Sequence, residues 1–173
     1  MRSLFLLICL CLGSVIGVLA ATPDSLSDRA PAFQLQDQYE KEHSYCFPRS
    51  RVSVLVFADR EGSEQIEGWV RPLYERYQDT IDIHGVANLK GVPTFAQGLV
   101  RKIFRKSLQY PVMLDWSGDV AKSYASQSGM ANLILLNKEG AITFRITGAS
   151  NQEKLQQCFN AIDRLLPEGA SPR

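Results

Sequence analysis

The sequence predicts a single α/β domain built around a mixed sheet, and three observations carry that expectation. Residues 52–58 form an apolar, largely β-branched run broken only by Ser53, the pattern of a strand buried on both faces. Ile66, Trp69, Val70, Leu73 and Tyr77 then recur at helical spacing, and residues 81–87 alternate as a second strand, which completes a βαβ unit with a right-handed crossover. Residues 132–136 and 141–146 make an antiparallel pair around Asn137-Lys-Glu-Gly140, with Gly in the left-handed position of the turn. At 173 residues the chain suits one domain and is short for two.

In chain order, Arg2 precedes an apolar run from Leu4 to Leu19. Val18-Leu19-Ala20 supplies the small residues of a signal-peptidase site, so a leader over 1–20 with cleavage after Ala20 is expected. The run is short for a membrane span, and neither Cys9 nor Cys11 stands in a lipobox, so no stable membrane anchor is expected once the leader is removed. A polar linker over 21–29 leads to the domain at 30–167, and a tail at 168–173 is expected to fray. Residues 30–35 alternate as an edge strand, with 43–47 as the hairpin partner. Ser63 is placed to cap the first helix, and Pro72 should kink or interrupt it. Leu99, Val100, Ile103, Phe104 and Leu108 predict an amphipathic helix whose other side carries Arg101, Lys102, Arg105 and Lys106. A short strand at 111–115, a short helix over 119–125 and a final helix over 151–166 complete the set. The last of these has Leu155, Cys158, Phe159, Ile162 and Leu166 on one face.

Of the 19 Lys and Arg only Arg2 leaves with the leader, so 18 cations face 18 Asp and Glu. A neutral chain without a basic, aromatic-interleaved stripe argues against nucleic acid as a partner. Cys46 and Cys158 are the cysteines that remain, free to pair in an oxidising compartment but not required to. Only His43 and His84 are present, and no CxxC or carboxylate cluster has metal-ligand spacing, so no metal and no cofactor is expected. A nucleophile elbow of the serine-hydrolase type is also absent.

The order of elements resembles redoxin-type thioredoxin-like domains over nearly all of 30–167. Ala30-Pro-Ala-Phe33 is similar to the "APDF" opening of such domains, and Val54-Leu-Val-Phe57 to their first central strand. Tyr110-Pro-Val-Met-Leu-Asp115 with Val120-Ala-Lys-Ser-Tyr124 resembles their inserted strand and helix. Leu133-Ile-Leu-Leu-Asn-Lys-Glu-Gly140 with Phe144-Arg-Ile-Thr-Gly148 resembles their hairpin. The resemblance implies a three-layer sandwich with a central mixed sheet, an N-terminal β-hairpin and the inserted strand–helix. It also implies thiol-disulfide or peroxide chemistry from cysteine at the start of the first helix, where the helix end raises the thiolate fraction. Gly62 and Gln65 stand about where that CxxC would lie, and Ala131 stands close to the family's cis-proline. Gly91-Val92-Pro93-Thr94 looks like the cis-proline motif, but a basic helix rather than a strand–Gly hairpin follows it, so Pro93 is expected to be an ordinary loop proline.

Candidate binding residues cluster where strands end: Asp59, Arg60, Glu61 and Ser63 after the first central strand, Asp115 and Trp116 after the inserted one. Arg60 and free N–H groups near Ser63 suit an anion, and Asp59 and Asp115 are placed to share a donor. The plainer alternative for the same residues is a mutual ion pair with helix capping. Cys158 on an apolar stripe suits a small buried hydrophobe, and Cys46 suits exposure. The expectation is a periplasmic or secreted binding module without a recognisable redox centre and with no catalytic residue assigned, its partner an unknown protein or a small anionic ligand. Two alternatives stand beside it: a thiol oxidoreductase or antioxidant using Cys46 with Cys158, and a non-redox enzyme at Asp59, Arg60 and Asp115.

Overall fold

Because residues 52–58 are apolar toward both sides, the chain covers them on both sides. The computed structural model describes residues 29–167. The leader, the linker up to residue 28 and the tail lie outside the described residues. Strands β1 (Phe33–Gln36) and β2 (Glu42–Tyr45) form an antiparallel hairpin, and β3 (Ser53–Ala58) follows with every residue buried. Next come a 3-10 turn at Gly62–Gln65, helix α1 (Glu67–Tyr77), strand β4 (Asp82–Asn88) and helix α2 (Thr94–Ser107). Strand β5 (Val112–Asp115), helix α3 (Asp119–Ser123), strands β6 (Asn132–Leu136) and β7 (Ile142–Thr147) and helix α4 (Gln152–Asp163) complete the fold.

The sheet order is β5-β4-β3-β6-β7, with β3 parallel to β4 and antiparallel to β6. Alternation along β3 divides the core. Val54 and Val56 face α1 and α4, where Trp69, Leu73, Tyr77, Cys158 and Ile162 are buried. Leu55 and Phe57 face the other way, toward the hairpin and α3, among Tyr45, Met113, Ala121 and Tyr124. Each large apolar side chain buried this way contributes about 1.5–3 kcal/mol. Polar anchors set the register of the layers. Trp69 Nε1 donates to the Gly148 carbonyl at 2.8 Å, Tyr77 to Asp163 at 2.8 Å and Tyr124 to the Pro31 carbonyl at 2.7 Å.

Several local expectations are corrected. The edge hairpin is shorter than expected at both strands, so Cys46 lies just beyond β2. Ser63 does not cap α1: it sits inside the 3-10 turn, its hydroxyl donates to the Arg60 carbonyl, and α1 begins at Glu67 without a side-chain cap. Pro72 does not interrupt α1, since the core packing of Trp69, Leu73 and Tyr77 holds turns on both sides of it. Pro93 precedes α2 in extended backbone, and the cis X–Pro bond among the described residues is Phe47–Pro48. The final helix is capped by Asn151, whose side chain accepts from the Lys154 N–H at 2.8 Å.

Helix α2 departs furthest from its pattern. Its arginines turn inward: Arg101 reaches Gln36 and Glu40 of the hairpin region and lies over the Trp116 ring, and Arg105 reaches the Gln38 carbonyl. Val100 and Phe104 are half-buried beside them, while Phe95, Leu99 and Ile103 face outward and no residue of the helix is buried.

Candidate functional site

At the carboxyl end of β3 the chain turns through Asp59, Arg60 and Glu61 into the 3-10 turn, beside the loop 127–131 that precedes β6. Asp59 accepts at 2.9 Å from the Gly62 N–H, at 2.6 Å from the Ser128 hydroxyl and at 2.8 Å from the Gly129 N–H. Burial alone would raise its pKa, but the hydrogen bonds from Ser128, Gly62 and Gly129 outweigh that and hold the carboxyl below its ordinary range. The backbone carbonyl of Asp59 also takes the Ser63 N–H at 2.9 Å. Two of the donors expected to serve an anion are therefore consumed by Asp59 itself.

Gly62 and the loop are in close contact. A Cβ at Gly62 would overlap the Met130 carbonyl and stand 3.0 Å from the Ala131 nitrogen. Three residues on, the Gln65 side chain spans the same loop: Nε2 donates to the Gly129 carbonyl at 3.3 Å and Oε1 accepts from the Ala131 N–H at 3.2 Å. Asn132 braces the loop from the strand side, donating to the Gln127 and Met130 carbonyls at 2.9 and 2.8 Å and accepting from the Gln127 N–H at 2.8 Å.

Asp115 and Asp59 share no donor. Asp115 is buried and turns toward α3, accepting from the Gly118 N–H at 2.9 Å and the Ala121 N–H at 2.8 Å. Its position at the end of a strand is dictated by capping the next helix, as Asp59 caps the turn at Gly62. Arg60 and Glu61 are exposed, and Arg60 forms no ion pair with Asp59 or Glu61 among the described residues. Trp116 packs under Arg101 of α2, away from β3.

Between the ends of β3, β4 and β5 lies a polar cleft of about 490 Å³, lined by Asp59, Asn88, Lys90, Lys122, Ser126 and Ser128 among others. Lys90 and Lys122 have no carboxylate partner among the described residues. Of the residues singled out from sequence only Asp59 lines this cleft. Asn88 at the end of β4, Lys90 just after it, Lys122 in α3, and Ser126 and Ser128 before β6 went unnoticed because they are scattered singly along the chain and share no motif. The one available signal was position, since in open α/β sheets ligands sit beyond strand carboxyl ends.

The thiols are far from this junction and from each other. Cys158 is buried on the α1–α4 face, where burial pushes its pKa up to about 12. Cys46 is exposed beyond β2, whose Tyr45 packs on the opposite face. The sequence left open whether they pair; both are free thiols. No group of three or more His, Cys, Asp or Glu among the described residues is placed to hold a metal.

No protein-family model matches the chain, and no curated protein matches it in sequence. Solved structures do match. An exposed lipoprotein thioredoxin from Streptococcus pneumoniae superposes with a TM-score of 0.57 at 18% identity, covering 75% of this chain and 98% of its own. A thiol-disulfide oxidoreductase from Bacteroides fragilis gives 0.55 at 22% identity, covering 76% and 97%. StoA from Bacillus subtilis gives 0.55 at 17%, covering 74% and 96%.

The fold is thioredoxin-like. In that frame the junction between β3 and α1, facing the loop before β6, is where the resemblance puts a thiol pair against a cis-proline. This thioredoxin-like chain has Gly62, Gln65 and Ala131 there. Cysteine at 62 would need a Cβ where the Met130 carbonyl stands, and an amide occupies the position three residues later.

Proposed function

We propose that the chain is an exported thioredoxin-fold binding module that holds a small anionic ligand in the cleft at the ends of β3, β4 and β5, without thiol chemistry at the inherited site. The observation that carries the first half is the closure of Gly62 and Gln65 on the 129–131 loop, which leaves neither a thiol nor room for one. The second half is supported by Lys90 and Lys122, two cations without a carboxylate partner among the described residues, beside Ser126. A carboxylate or phosphate there would gain charge-assisted hydrogen bonds, and Asp59, saturated by three donors, adds one negative charge that favours a small anion over a highly charged one. Export is supported by the leader pattern over 1–20, and a periplasmic or secreted location follows from it.

A ligand that prefers the folded state raises the melting temperature with concentration. Titrating inorganic phosphate and small dicarboxylates should raise it in the parent and in Arg60→Ala, and not in Lys90→Ala/Lys122→Ala. A melting temperature unmoved by any of these anions rules out the anion reading. The thiol reading retains one supporting observation, the exposure of Cys46. Insulin reduction or peroxide consumption that disappears in Cys46→Ser would establish it in place of the binding module.

A further inference from the structure

The exposed apolar side chains are unevenly distributed. Eight large hydrophobics are exposed among the described residues. Phe95, Leu99 and Ile103 are on α2, Leu108 and Tyr110 follow it directly, and Tyr39 stacks beside Arg105. Phe95 is 91% exposed, Leu99 63% and Ile103 52%. At 100° per residue, spacing by four puts these three on one stripe, and Lys102 and Lys106 fall on the same side of the helix. The inward side is Val100, Phe104 and the two arginines, already engaged with Gln36, Gln38 and Glu40. Helix α2 contains no Asp or Glu, and Lys102 and Lys106 have no carboxylate partner among the described residues.

We infer that the outward face of α2 docks in the plane of an anionic lipid surface. Four physical arguments select that occupant. Interleaved lysine and large apolar residues on one face allow the apolar groups to enter the acyl boundary while the lysine stems extend to phosphates. A protein interface centred on this stripe would bury lysines, which interface cores exclude. A second copy packed face to face across a twofold axis would set lysine stripe against lysine stripe with no acid to meet either. The exposed phenol of Tyr110, past the helix end, suits the headgroup level where tyrosines collect. At 14 residues the helix is about 21 Å long, and no helix among the described residues is long and apolar enough to cross a membrane, so the contact is interfacial. This docking depends on neither cleft nor thiols, and it would hold the module reversibly at a membrane.

The test uses the chain beginning at Ala21 and vesicles of phosphatidylcholine with or without phosphatidylglycerol, read by co-sedimentation. Binding should require phosphatidylglycerol, weaken with salt, and persist in millimolar glycerol phosphate. Lys102→Glu/Lys106→Glu should lower the partition at least about tenfold, and Phe95→Ser/Leu99→Ser should abolish it with the parent's melting temperature retained. Phe95→Trp should bind like the parent, with its emission shifted to the blue on phosphatidylglycerol vesicles only. Equal binding by parent and both double variants, binding no better than to phosphatidylcholine alone, displacement by glycerol phosphate, or a solution dimer dispersed by Leu99→Ser without vesicle binding would each overturn the inference.

Discussion

The junction of β3 with α1 and the helix α2 resolve their side chains in opposite ways. At the junction the polar groups of Asp59, Gln65 and Asn132 find partners within the chain, and Gly62 leaves no free volume against Met130. On α2 the cations that can reach the hairpin do so, while Phe95, Leu99 and Ile103 are left to solvent. Hydrogen-bond satisfaction and close packing mark a place that serves the fold. Exposed apolar area beside unpaired charge marks one that serves a contact outside it. The junction where the resemblance to redoxin-type domains puts a thiol pair is, in this chain, closely packed and hydrogen-bonded within itself.

The sharpest way to break that contrast is to load the junction. Gly62→Ala should destabilise the fold by roughly 1–3 kcal/mol, because its methyl collides with backbone rather than with a yielding side chain. Gly62→Cys/Gln65→Cys should be destabilised further and should not reduce insulin. Urea melts and an insulin assay check both, and parental stability in Gly62→Ala would show that the junction is not packed as described.

Asp59→Ala comes next, at roughly 2 kcal/mol, since three donors lose one charged acceptor. The pH dependence has a definite sign. The folded-state pKa of Asp59 lies below the model-compound value of 3.8, so the stability it contributes is complete above that value. It is lost as pH falls from there through the folded pKa. Melts between pH 6 and pH 2.5 should therefore show a shallower acid limb in Asp59→Asn than in the parent. Asp37 has the same sign: burial opposes ionisation, but the bonds from His43, Tyr39 and Lys41 prevail.

Thiol accessibility sharpens the comparison without changing the fold. In the chain beginning at Ala21, Cys46 should react promptly with a disulfide reagent, and Cys158, its ionisation suppressed by burial, only on unfolding. Two fast thiols, or none before reduction, would contradict the placement. The smallest effect belongs to α2 and to Arg60. Phe95→Ser, Leu99→Ser and Arg60→Ala should each move stability by no more than about 0.5 kcal/mol, as exposed positions without internal partners do.

Much of the architecture was legible because it is written in periodicity. The doubly apolar run at 52–58 had to be a central strand, Asn137 to Gly140 had to turn a hairpin, and Trp69, Leu73 and Tyr77 had to face a core. The candidate site was legible only in outline. Asp59 lies at the junction as expected, but two of its three donors come from residues about seventy positions away, and no local pattern announces them. Ser63 failed as a helix cap because Asp59, four residues earlier, already captures the N–H groups of the turn. The amphipathic pattern of α2 was real, but which of its residues turn inward was not legible. Periodicity marks two faces of a helix, but the acceptors that draw Arg101 and Arg105 inward, at Gln36, Gln38 and Glu40, belong to a hairpin some sixty residues upstream.

By itself the sequence determined the order of strands and helices and that residues 59–67 hold no cysteine, since both follow from residue type along the chain. Only the tertiary structure decided that Gly62 and Gln65 close on the loop before β6, that Lys90 and Lys122 meet at one cleft, and that α2 turns its apolar stripe outward. The reason is physical: packing and hydrogen bonding join residues distant in the chain, and a one-dimensional pattern records which groups need partners without recording which ones they find.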